Sequence, residues 1–144
     1  MSEAARLLER AVIERGYEAG GIPILRVRPE YYHDIISLFA GMDYMFVSLS
    51  VIHWRGLFEV MVLLYSLEHG PVIISTFIRE DEEIDSIVDV FPGAYLYEAE
   101  AYEMFGIVFR GNPGLRKHFT PPEVETPLRK EYELQETPIG GWRH

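Results

Sequence analysis

Between Glu3 and Arg15 the apolar positions Ala4, Leu7, Leu8, Val12 and Ile13 recur at three- and four-residue spacing, a period that predicts a surface helix with one buried face. Ser2 stands where an N-cap is needed and Gly16 where a helix stops. After Gly20-Gly21 the period shortens. Pro23–Val27 reads as a strand, and Pro29 opens a second helix whose stripe is Tyr32, Ile35, Ile36 and Phe39, ended by Gly41. Three strand-like runs follow, Tyr44–Trp54, Leu57–Leu67 and Val72–Ile78. The breaks at Arg55-Gly56 and His69-Gly70-Pro71 predict tight turns, and hence an antiparallel meander with one face under helices.

Asp81–Val90 then predicts a helix, with acidic residues in the first turn and Ile84, Ile87 and Val88 as its stripe. Phe91-Pro92-Gly93 breaks the chain. A further helix is expected over Ala94–Phe105, with Gly106 at the left-handed C-terminal position and Ile107–Phe109 resuming as extended chain. Beyond Gly111, Pro113, Pro121, Pro122, Pro127 and Pro138 prevent long regular elements. The pattern therefore predicts an α+β domain over 1–111, helices packed on a mainly antiparallel sheet, followed by an extended docking tail over 112–144.

Composition narrows the function classes. The 144 residues, 48% of them hydrophobic, suffice for one domain with a real core. A net charge of −10 opposes attraction to phosphate backbones, and the modest basic cluster of Arg110, Arg116, Lys117, Arg129 and Lys130 does not reverse that, so nucleic acid is not an expected partner. The absence of cysteine removes disulfides and any self-held thiolate iron–sulfur cluster, which leaves such a cluster to a partner. The charged, amphipathic N-terminus is unlike a signal peptide, and neither long apolar run reaches the roughly 20 residues of a spanning helix. A cytosol-facing chain that meets a membrane only through partners is expected.

Candidate chemistry concentrates between Glu98 and Tyr132. On the expected helix Tyr97, Ala101, Met104 and Phe105 form an apolar face, and Glu100 and Glu103 lie on another. Two readings are open: a carboxylate pair for acid–base or cation chemistry, or a solvated, ion-pairing face. Arg116, Lys117, Arg129 and Lys130 would reach Glu98, Glu100 and Glu103 if the tail folds back, and such pairs would fix its path. Asn112-Pro113-Gly114 supports a turn. No phosphate loop, dinucleotide fingerprint or nucleophile elbow occurs. His33, His53, His69, His118 and His144 show no metal spacing, and His53 in a strand suits half-buried packing. His118, beside Arg116 and Lys117, is suited to titrate near neutral pH. Tyr132 and Trp142 suit partner anchors. No catalytic, cofactor-binding or metal residue is assigned to this chain.

Three blocks, Glu98-Ala-Glu-Ala-Tyr-Glu-Met-Phe-Gly-Ile107, Phe109-Arg-Gly-Asn-Pro-Gly-Leu-Arg-Lys117 and Pro127-Leu-Arg-Lys-Glu-Tyr132, resemble the signature of the 30 kDa subunit family of respiratory complex I, an NADH dehydrogenase. That family includes counterparts in membrane-bound energy-converting nickel–iron hydrogenases and related archaeal complexes. The first block there usually reads E-R-E-x-x-D, whereas this chain has Ala99 for the Arg, Glu103 for the Asp, and Asn112 where His is usual. These departures point to a divergent, archaeal-type member. The resemblance implies an accessory subunit without a redox centre, at the cytoplasmic face of the membrane. Its partners would be a large catalytic subunit and an iron–sulfur subunit, which would hold the clusters and, in a hydrogenase, the nickel–iron centre. In that setting Glu98, Glu100, Glu103, Arg116, Arg129 and Lys130 would orient the tail or bind neighbours. Phe105 and Leu128 would anchor it, and Gly106 and Tyr132 would complete the docking set. The alternatives are a soluble carboxylate-dependent enzyme using Glu100, Glu103 and His118, and a free-standing α+β interaction module.

Overall fold

The computed structural model describes residues 2–113. Helix α1 spans Glu3–Ala11, with the Ser2 hydroxyl accepting the Ala5 N–H at 3.1 Å as its N-cap. It stops four residues before the expected end. Val12–Tyr17 is instead strand β1, paired antiparallel with β2 (Pro23–Val27), so Gly16 lies inside a strand and ends no helix. The β-branched pair Val12-Ile13 favours the sheet, and a neighbouring segment claims the helix end: the Arg28 N–H donates to the Ala11 carbonyl at 2.9 Å.

A 3-10 turn at Pro29–Tyr31 leads into α2 (Tyr32–Gly41), which buries Tyr32, Ile35, Ile36 and Phe39 as its period requires. The meander follows as β3 (Met45–Trp54), β4 (Leu57–Ser66) and β5 (Gly70–Arg79). Gly56, at φ 75°, supplies the left-handed residue of the β3–β4 turn. At the β4–β5 turn the Ser66 hydroxyl accepts the N–H groups of Glu68 and His69, both at 3.1 Å. The sheet order is β1-β2-β5-β4-β3; all neighbours are antiparallel except β2 and β5, which run parallel. That one parallel pair follows from the connection through α2 and the β3–β4 hairpin, which returns β5 beside β2 in the same direction.

The helix expected over Asp81–Val90 does not form. The Glu82 carboxylate accepts the Arg79 N–H at 2.6 Å, closing a turn at the end of β5. Ile84–Asp85 is strand β6, paired parallel with β7 (Phe109–Arg110). The N–H groups a helix would use go elsewhere: Ile84 donates to the Val108 carbonyl at 3.1 Å and Ser86 to the Arg110 carbonyl at 2.8 Å. Tertiary partners thus override a strong local signal. A 3-10 turn at Pro92–Ala94 introduces α3 (Tyr95–Phe105), and Gly106 ends it at φ 79° with its N–H on the Tyr102 carbonyl at 2.8 Å.

Strand alternation sorts the sheet into two faces. Leu49 and Val51 of β3, Phe58, Val60, Val62 and Leu64 of β4, and Val72, Ile74 and Ile78 of β5 form one core with α2 and α3. Phe46 packs edge-on to Tyr97 at 5.4 Å between ring centroids, and Phe58 lies 5.5 Å from Phe105. The opposite face carries Ile24, Arg26, Ile52, Glu59, Met61, Leu63, Ile73, Ser75 and Phe77. Among the described residues no helix lies over it.

Candidate functional site

Helix α3 carries the first of the three sequence blocks, and its packing decides what each acidic residue can do. Glu98, Ala101 and Phe105 fall at offsets of zero, three and seven, so Glu98 points into the core with them, and all three are buried. Its Oε1 accepts the Ser86 hydroxyl at 2.7 Å and the Asn112 side-chain N–H at 2.8 Å, and its Oε2 accepts the Ile87 backbone N–H at 2.9 Å. One carboxylate therefore ties α3 to the loop after β6 and to the residue after β7 and Gly111. The Asn112 side chain also donates to the Tyr95 carbonyl at 3.3 Å. Glu98 thus fixes the chain at Asn112, beside the last described residue.

Burial pushes the Glu98 pKa above the ordinary carboxylate range, against the opposing hydrogen bonds from Ile87, Ser86 and Asn112 and with a further upward push from Asp89. Tyr32 lies close by, wholly buried. Desolvation, then the Glu98 charge, holds its phenol well above its usual value. Among the described residues the Tyr32 hydroxyl has no hydrogen-bond partner. An unmade buried hydrogen bond costs about 1–3 kcal/mol, so Tyr32→Phe is expected to raise stability by about 1 kcal/mol in urea unfolding. A loss of stability instead would reveal a partner for that hydroxyl.

The other predicted residues of this block divide. Glu100 and Glu103 are half-buried on α3. Phe105 is buried against Phe58 and, at 6.1 Å, His53. His53 stacks on Phe58 at 4.7 Å and meets the Glu80 carboxylate at 2.5 Å, the half-buried packing place its strand position suggests. Arg116, Leu128, Arg129, Lys130 and Tyr132, with His118 and Trp142, lie outside the described residues. Beside the clamp is an open cleft of about 340 Å³ lined by His33, Asp85, Ser86, Asp89, Arg110 and Gly111. Its polar groups pair internally: Arg110 with Asp85 at 2.9 Å and His33 with Asp89 at 3.0 Å. No group of three or more metal-ligating side chains occurs among the described residues.

A second polar cluster was not anticipated from the sequence. Glu59, in the middle of β4 and only 2% exposed, accepts the Arg26 guanidinium at 3.0 Å, the Ser75 hydroxyl at 2.6 Å and the Trp54 indole N–H at 3.1 Å. These four side chains come from four adjacent strands. Arg26 also meets Glu14 of β1 at 3.1 Å and lies over the Phe77 ring at 5.4 Å. Burial works against its charge, but the hydrogen bond and charge of Glu59, then those of Glu14, outweigh that and raise its pKa. The available signal was a lone acidic residue within the apolar run Leu57–Leu67, since a strand interior tolerates a carboxylate only when partners surround it.

Fold, block order and comparison with known proteins converge. Residues 25–138 match the family described as respiratory-chain NADH dehydrogenase, 30 Kd subunit, and the chain belongs to that family. Over 61 residues it is 48% identical to NADH-quinone oxidoreductase subunit 5 of Thermus thermophilus, a match covering 42% of this chain and 30% of that protein. It is 32% identical over 133 residues to the C/D subunit of the NADH-quinone oxidoreductase of Photorhabdus laumondii, covering 81% of this chain and 22% of that one. The C subunit of the Salinispora arenicola enzyme is 28% identical over 148 residues, covering 92% and 56%. The chain thus spans little more than half, and often less, of the curated relatives it matches. A chain in the structure of the membrane-bound sulfane sulfur reductase, an archaeal respiratory membrane complex, shares the fold with a TM-score of 0.72 at 20% identity, covering 89% of this chain and 80% of that one. No helix among the described residues is long and apolar enough to cross a membrane.

Proposed function

We propose that this chain is a non-catalytic accessory subunit of the peripheral arm of a complex-I-like, membrane-associated oxidoreductase, of the NADH dehydrogenase or energy-converting hydrogenase type. It contacts the large catalytic subunit and the iron–sulfur subunit at the cytoplasmic face, and those partners hold the iron–sulfur clusters and, in a hydrogenase, the nickel–iron centre. The membership of residues 25–138 in the 30 kDa family carries this reading. The clamp supports it: the first carboxylate of the family-like block holds α3, the β6 loop and Asn112 together, a structural task. Glu100, Glu103 and the tail residues Arg116, Arg129 and Lys130 then serve contact, with Leu128 and Tyr132 as apolar anchors.

Metal analysis tests the division of labour. The purified full chain is expected to contain neither iron nor nickel in stoichiometric amount, and the assembly recovered with it from native membranes to contain iron. A stoichiometric ion on the pure chain, lost in Glu100→Gln, would contradict the reading and favour a carboxylate-dependent enzyme.

A further inference from the structure

The face of the sheet opposite the helices is apolar over most of its area. Ile24, Ile52, Met61, Leu63, Ile73 and Phe77 are all half-buried there, on four adjacent strands. At its margin Trp54 is 50% exposed and Tyr65 38%, large side chains of the kind that dominate binding energy. The Trp54 ring is already fixed by its N–H on Glu59. The three central and edge strands β5, β4 and β3 have 10 residues each, so the face runs about 33 Å along the strands and about 20 Å across all five. That footprint, on the order of 600 Å² before side-chain relief, approaches the roughly 800 Å² each partner contributes to a standard interface.

The charged groups at the centre of this face are paired with one another. Glu59 is enclosed by Arg26, Ser75 and Trp54, and Glu14 takes the other end of Arg26. A partner could cover the cluster without stranding a charge, which is the condition for burying such a patch cheaply. Charge also selects the occupant. Residues 1–113 carry ten more acidic than basic side chains, so a second copy would meet its own repulsion, whereas a basic-rimmed partner would be drawn in.

We propose that this helix-free sheet face is a docking surface for a neighbouring subunit that presents an apolar patch rimmed by lysine and arginine. The inference rests on the accessory-subunit reading and deepens it: the domain binds through its sheet as well as through its tail. Preorganisation is built in, since the Glu59 cluster holds the margin residue Trp54 before the partner arrives.

The chain has no cysteine, so single cysteines at Ser50 and Tyr65, both on this face, make clean probes. Ser50→Cys and Tyr65→Cys variants of the full chain are treated with a maleimide, free and in the assembly recovered from membranes, and labelling is read by the mass of this chain. Both are expected to label readily in the free monomer and about tenfold or more slowly in the assembly. Equal rates in the two states would overturn the proposal. Slow labelling of the free monomer would overturn it by placing the chain's own tail on the face, and labelling that slows with dimer formation would do so by placing a second copy there. If wild-type chain is recovered with no oxidoreductase subunit, the accessory-subunit reading itself falls, and this proposal with it. Recovery of the assembly with unprotected cysteines sinks the docking face alone.

Discussion

Replacing Glu59 by alanine is expected to cost about 3–5 kcal/mol of folding stability, the range for breaking a buried ion pair by removing one partner. The loss comes from both sides of the cluster. Among the described residues Arg26 then keeps the Phe77 ring and Glu14, whose carboxylate is largely exposed and therefore weakly held. Ser75, wholly buried, loses the acceptor of its 2.6 Å bond, and Trp54 loses the anchor of its indole N–H. Urea unfolding monitored by tryptophan fluorescence checks it. Because the groups share one network, the Arg26→Met/Glu59→Ala double variant should lose less than the sum of the single losses. Additive losses, or a drop below about 1 kcal/mol for Glu59→Ala, would mean that the cluster does not hold the four strands together.

Glu98→Ala is expected to cost a similar amount, about 3–5 kcal/mol, since it leaves the Ser86 hydroxyl and the Ile87 N–H without their acceptor, reduces the Asn112 amide to the Tyr95 carbonyl, and opens a cavity under α3. Glu98→Gln keeps the volume but places an N–H₂ among donors, and should cost about 1–3 kcal/mol. The pH dependence has a definite sign. Burial raises the folded pKa of Glu98 above its unfolded value, so the folded state holds the proton more tightly. That contribution is complete below the ordinary carboxylate range and is lost as pH rises through the raised value. The stability advantage of wild type over Glu98→Gln should therefore be larger on the acid side of that window than at neutral pH. An advantage that grows with pH would reverse the assignment and make the hydrogen bonds, rather than burial, the stronger influence on this carboxylate.

Periodicity located α2, the three-strand meander and α3, because each buries one regular face and is bounded by Gly or Pro. It failed where partners distant in sequence decide the local conformation. Asp81–Val90 has helical period and an acidic first turn, yet the N–H groups of Ile84, Ser86 and Ile87 are taken by the Val108 and Arg110 carbonyls and by Glu98, none of them local. Val12–Tyr17 leaves the helix because β2 offers it a register, and the parallel pairing of β2 with β5 is a property of the connection, not of either strand. The buried place of Glu98 was legible in principle, since its offsets to Ala101 and Phe105 are those of one helix face. Its partners were not, because Ser86 and Asn112 become neighbours only once β6 and β7 pair. Glu59 shows the same limit. The lone carboxylate in an apolar strand announces a buried partner, but only the sheet order brings Ser75 and, beyond it, Arg26 to one side of it and Trp54 to the other.

Tagged full chain recovered from native membranes in mild detergent is expected to come away in a fixed ratio with a large catalytic subunit and a cysteine-rich iron–sulfur subunit, identified by mass spectrometry. Recovery as a monomer, or with partners that include no oxidoreductase subunit, would contradict it.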